Sequence, residues 1–170
     1  MIWCAATTSC VGVNDVLVEN CTFVGTDVGL RFKSCLGRGG TVENILIRNI
    51  RMDSIKEHAL IMSMGYNAAI GSEKDVEKQY PEEDVPEFRN IHMSDILCVG
   101  AKQAVDIGGL AQRPINNISM ENCVIHAEKG VSARFAENIR LKDVKIVSTK
   151  DGQVLNYTDE TVGDGYKSAF

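Results

Sequence analysis

The sequence is poor in aromatic residues, at 6%, and has only three Pro in 170 residues. A core with so few rings must be filled by aliphatic side chains. No apolar run approaches the ~20 residues that a membrane-spanning helix needs, so no membrane partner is expected. The formal net charge is -5, with no basic excess, which argues against a nucleic-acid partner. Residues 1–13 are mildly apolar but carry no basic leader and no clear cleavage site, so they do not read as a signal peptide. None of the six Cys forms C-x-x-C, and none of the three His sits at metal-ligand spacing from them. No metal site and no cofactor are expected. The sequence also has no Asp-Asp pair.

What is present is globular in composition, with 44% hydrophobic and 24% charged residues. The length suits one domain over 1–170. Its organisation is a repeat. The unit Asp15-Val16-Leu17-Val18-Glu19-Asn20-Cys21 returns as Asn44-Ile45-Leu46-Ile47-Arg48-Asn49-Ile50 and as Asn90-Ile91-His92-Met93-Ser94-Asp95-Ile96. Two more copies begin at Asn117 and Asn138, and the starts are 29, 46, 27 and 21 residues apart. The second and fourth positions are apolar in every copy, with mostly polar residues between them, which is a short strand with one buried face. The sixth is always Asn or Asp, residues that tolerate the left-handed conformation, so the chain bends there. Beyond the bend the apolar parity shifts by one, and a second strand begins.

Cys21, Cys98 and Cys123 occupy columns otherwise held by Ile, Val, Phe and Met, so they are expected as buried thiols acting as small hydrophobes. A later apolar stretch follows each unit: Val28-Gly29-Leu30, Ala59-Leu60-Ile61-Met62, Ala104-Val105-Asp106-Ile107, Val131-Ser132-Ala133 and Val154-Leu155. Two or three short strands per coil, stacked like on like, make an all-β, single-stranded parallel β-helix. A leucine-rich solenoid would need a leucine-dominated consensus and a regular period, and neither occurs. Coils are expected over about 11–156, with an insertion loop at about 65–87 and a tail or cap over 157–170.

One stretch stands out on this acidic chain. Gly29-Leu30-Arg31-Phe32-Lys33 sends two cations from one strand face, and Gly37-Arg38-Gly39-Gly40 adds a third in a Gly-rich bend. Like charges side by side repel, and an anionic ligand would justify them. This R-x-K strand, its Gly-Arg-Gly-Gly turn, and the later Gln103-Ala104-Val105-Asp106-Ile107-Gly108-Gly109 and Pro114-Ile115-Asn116-Asn117-Ile118 resemble glycoside hydrolase family 28, the polygalacturonase family. The resemblance covers about 11–147. It implies a right-handed, pectin-lyase-like parallel β-helix and a hydrolase acting on an acidic, pectin-type polysaccharide, in a periplasmic or secreted setting. It further implies that Arg31 and Lys33 contact a substrate carboxylate, with Tyr66 as a substrate-contacting tyrosine one coil later.

The family's inverting scheme needs paired carboxylates. These come from N-x-D and D-D stretches, with a G-H-G stretch nearby, all ahead of R-x-K. None occurs among the 30 residues before Arg31. His58, His92 and His126 lack flanking Gly, and His92 falls at an outward position. Asp106 shares the repeat offset of Arg31 two coils on, about 10 Å away at strand spacing, and receives no role. No catalytic residue is therefore assigned. The expectation is the C-terminal part of such an enzyme, truncated at its N-terminal side, inactive alone and able to self-associate through an open helix end. The alternatives are a non-catalytic, carbohydrate-binding or self-associating β-helix, and a pectate lyase, which would require a calcium-binding carboxylate cluster not seen near Arg31.

Overall fold

The computed structural model describes residues 12–65 and 80–170, together with the backbone of Ile2–Trp3. The strands are β1 (Ile2–Trp3), β2 (Val13–Val24), β3 (Val28–Lys33), β4 (Thr41–Asp53), β5 (His58–Ser63), β6 (Glu87–Gly108), β7 (Ile115–Arg134), β8 (Ala136–Ser148) and β9 (Val154–Val162). A 3-10 turn, Glu82–Asp84, leads into β6. Strands β2, β4, β6, β7 and β8 stack in parallel along one side. Strands β1, β3, β5, β6 and β7 stack in parallel along another. β6 and β7 are long enough to belong to both stacks. The coils wind as a right-handed parallel β-helix.

The register reproduces the repeat columns. Val16, Ile45, Ile91, Ile118 and Ile139 pair in succession, as do Val18, Ile47, Met93, Met120 and Leu141. Across the bend, Cys21, Ile50, Ile96, Cys123 and Val144 form another column, and Phe23, Met52, Cys98, Ile125 and Ile146 a fourth. From β4 onward these side chains are buried in one continuous cluster, filled mainly by Ile, Val, Leu and Met. Cys98 and Cys123 are fully inside, whereas Cys21, in the coil at the edge of the described stack, is only half-buried.

The corners explain how one strand serves two faces. Asn20, Asn49, Asp95, Asn122 and Asp143 all have φ between 51 and 56°. The expected second strand is therefore the same strand, kinked by one left-handed residue that flips the parity without breaking the ladder. A bend expected only at the sixth position also occurs at the first, where Asp15, Asn44, Asn90, Asn117 and Asn138 have φ between 52 and 57°. The amides then bond along the stack. Asn49 Nδ2 donates to Asn20 Oδ1 at 2.6 Å and Asn122 Nδ2 to Asp95 Oδ1 at 2.6 Å. Asn117 Nδ2 donates to Asn90 Oδ1 at 2.8 Å.

The C-terminal end departs from the repeat. Val154 and Leu155, expected as the late stretch of the fifth coil, open β9, which runs antiparallel to β8 with Leu155 opposite Ile146. The connection of residues 149–153 is too short for the crossover that parallel pairing requires, so the chain reverses. Residues 163–170 then lie back along β7. Ala133 N–H donates to Tyr166 O, Ser168 N–H to Val131 O, and Gly130 N–H to Phe170 O. Tyr157 is buried beneath this cover, its hydroxyl 3.1 Å from that of Tyr166.

Candidate substrate-binding face

β3 places Phe32 in the core, 1% exposed, with its ring tilted against Phe88. Alternation then sends Arg31 and Lys33 outward, where both are half-buried. The turn after β3 is fixed by backbone. Gly37 N–H and Gly39 N–H both donate to Asp84 O, at 2.9 and 3.0 Å. Gly39 has φ +59°, and a Cβ there would collide with Glu83 O, so only Gly fits. Arg38 is exposed at the tip of this turn, away from the strand carrying the other two cations.

Three outward columns cross the β3–β5–β6–β7 face. One runs Arg31, Ile61, Asp106, Ser132. The next runs Lys33, Ser63, Gly108, Arg134, and the third Val28, His58, Gln103, Lys129. Asp106 thus stands two coils from Arg31, about 10 Å at strand spacing, with Ile61 between them. That separation leaves Arg31 un-neutralised by it, and among the described residues Arg31 has no ion-pair partner. Asp106 is the single carboxylate among the residues of these columns.

The structure brings in a residue set aside for lacking flanking Gly. His58 Nε2 lies 3.8 Å from Asp106 Oδ2, each side chain 25% exposed. Burial pushes the His58 pKa below its ordinary value. Asp106 and Glu57 pull it upward, while Arg31 and Lys129 push it further down. His58 therefore senses both cationic ends of the face. Gln103 donates its amide to Gly130 O at 2.7 Å and to Val105 O at 3.2 Å, which braces β6 against β7. His58, Gln103 and Lys129 could have been found by counting three residues back from the Arg31 column in each coil. Tyr66 lies outside the described residues, as do Cys4, Cys10 and most of the insertion. The remaining histidines differ in setting: exposed His92 takes Nδ1 to within 2.8 Å of Ser119 Oγ. Among the described residues no cluster of three or more His, Cys, Asp or Glu could hold a metal ion. No helix among them is long and apolar enough to cross a membrane.

Comparison with known proteins points one way. The model of glycosyl hydrolases family 28 matches residues 5–145. A probable polygalacturonase from Vitis vinifera is 29% identical over 115 residues, which is 68% of this chain and 22% of that protein. An exo-poly-alpha-D-galacturonosidase from Dickeya chrysanthemi is 30% identical over 110 residues, covering 61% of this chain and 17% of the relative. The chain thus spans about a fifth of the length of these relatives. Among solved structures, a hyperthermoactive exopolygalacturonase from Thermotoga maritima superposes with a TM-score of 0.67 at 21% identity, over 89% of this chain and 32% of that one.

Proposed function

Because the chain belongs to glycosyl hydrolases family 28, we propose that it supplies the carboxylate-gripping side of a cleft for galacturonate-containing polysaccharide. The observation that carries this is the outward pair Arg31 and Lys33 on a rigid strand whose intervening Phe32 is locked in the core. Arg presents a planar fork to a carboxylate, and Lys a point charge. A polysaccharide with one carboxylate per sugar needs such local cations on a chain of net charge -5. Tyr66 is proposed to contact substrate from the next coil, on the resemblance alone.

Hydrolysis is a separate matter. Inversion requires an acid and a base carboxyl group roughly 6.5–9.5 Å apart across the scissile bond. Asp106 alone on the described face does not make that pair. It supports a chain that grips substrate and does not cleave it, which is also what a non-catalytic binding reading would require. The purified chain is therefore expected to bind polygalacturonate without releasing reducing ends. Arg31→Met is expected to weaken binding about tenfold, as for loss of one charged hydrogen-bonding contact. Steady release of reducing ends would refute the missing-acid assignment, and unchanged binding by the Arg31 variant would refute the gripping role.

A further inference from the structure

One titratable pair sits on the face that carries Arg31. His58 Nε2 lies 3.8 Å from Asp106 Oδ2, and both side chains are partly open to solvent. That distance is too long for a hydrogen bond but within the range of an ion pair. Asp106 makes no other ion pair among the described residues.

The charges around the imidazole come from four places. Glu57 precedes it in the chain, and Lys102 Nζ holds that carboxylate at 2.8 Å. β3 contributes Arg31, β6 contributes Asp106 and β7 contributes Lys129. Asp27 acts on Glu57 and is itself paired with Lys56 at 3.1 Å. Beyond Asp106 the face opens into a cleft of about 500 Å³ against the C-terminal segment, where Lys129, Arg134 and Lys167 join it. With Glu57 held by Lys102, Asp106 is the carboxylate that a proton on His58 answers.

A polyanion laid over this face meets opposed charges. Arg31 attracts it and Asp106 repels it. With His58 neutral, the Asp106 charge stands uncancelled. With His58 protonated, a unit positive charge appears 3.8 Å from that carboxylate and the pair is neutral overall. Burial and the flanking cations hold the free imidazole below its ordinary value of 6.5, so the change falls on the acid side of neutrality. Ordinary carboxylates titrate near pH ~4, and arginine and lysine keep their charge throughout. Acidification from about pH 7.5 to 5 therefore alters the His58–Asp106 pair while leaving the ligand's charge in place.

We propose that His58 and Asp106 form a proton-operated switch on this face, in which protonation of His58 cancels the Asp106 charge and strengthens the hold on an acidic polysaccharide. This rests on the reading of Arg31 given above. The coupling is reciprocal: a ligand that prefers the protonated face must itself raise the proton affinity of His58 by the same factor.

The test measures binding of oligogalacturonate to the full chain by calorimetry, at pH 7.5 and 5.0 and fixed ionic strength, for wild type, His58→Gln, Asp106→Asn and Arg31→Met. The His58 imidazole is titrated by NMR with and without the oligomer. Wild type should bind roughly fivefold tighter at the lower pH, the effect of one charge cancelled near the ligand. His58→Gln should lose most of that gain. Asp106→Asn should already bind more tightly than wild type at pH 7.5. The oligomer should raise the His58 pKa by about 0.7, the logarithm of the same factor. Equal gains in wild type and His58→Gln, no tightening in Asp106→Asn, or an unmoved His58 pKa each overturn the switch; weak binding by Arg31→Met at both pH values then leaves the gripping role intact. A His58-dependent gain with unchanged binding by Arg31→Met supports the switch and overturns the Arg31 reading instead. No binding by wild type at either pH overturns both.

Discussion

Ten corner residues, all Asn or Asp, decide the path of the backbone. An ordinary L-residue held left-handed costs roughly 1–2 kcal/mol, which Asn and Asp reduce by bonding locally. Asn122 has φ 52° and also donates to Asp95. Asn122→Ala is therefore expected to lower stability by about 1–2 kcal/mol in a urea titration, with Asn122→Gly losing less because Gly adopts this φ freely. Equal losses would show that the amide ladder, not the backbone, dominates. His58 acts at the same scale through protons. Its pKa in the folded chain lies below the ordinary value of 6.5, so the unfolded chain binds the proton more readily. Its contribution to stability is complete above pH ~6.5 and is lost as pH falls through the folded value. Wild type should lose thermal stability across that acidic window, and His58→Gln should lose less. The core thiols move the opposite way. Burial raises Cys98 to about 12 and Cys123 to about 11, so both should resist thiol reagents in the folded chain and react once it is unfolded in denaturant.

The strands draw their stability from columns more than from individual pairs. Ile118 is 1% exposed and sits between Ile91 and Ile139 in its column. Ile118→Ala should cost about 2–5 kcal/mol, read as a lowered urea midpoint at unchanged slope, because a cavity opens between two packed coils. The apolar columns were legible in the sequence because a strand repeats every second residue and the repeat aligned five copies. So was the late column of Leu30, Leu60, Val105 and Val131. The reversal at β9 was not. Val154-Leu155 has the same apolar character as a coil strand, and what excludes it from the stack is the short connection before it. The first-position corner was also hidden, since an Asn opening a strand looks the same whether its φ is negative or positive.

At the level of the whole molecule, the cleft face shows where sequence reading stops. Arg31 and Lys33 stood out because their charges were adjacent in sequence. Lys129, Arg134 and Lys167 did not, because the face gathers them from β7 and from a returning segment beyond β9. In a solenoid each coil touches only its neighbours, so protection should follow the stacking. Amides of β6 and β7, which are bonded on both sides along most of their length, are expected to exchange slowest. Those of β2, which pairs only with β4 among the described strands, should exchange faster. The corner residues carry a further implication. In all five units the two left-handed positions are five residues apart, while the unit starts are separated by 21 to 46 residues. One residue inserted between the corners would turn an entire buried column out to water. The spacing of the corners is thus closed to length variation, while the stretches between units already absorb it, since their starts differ in separation by more than a factor of two.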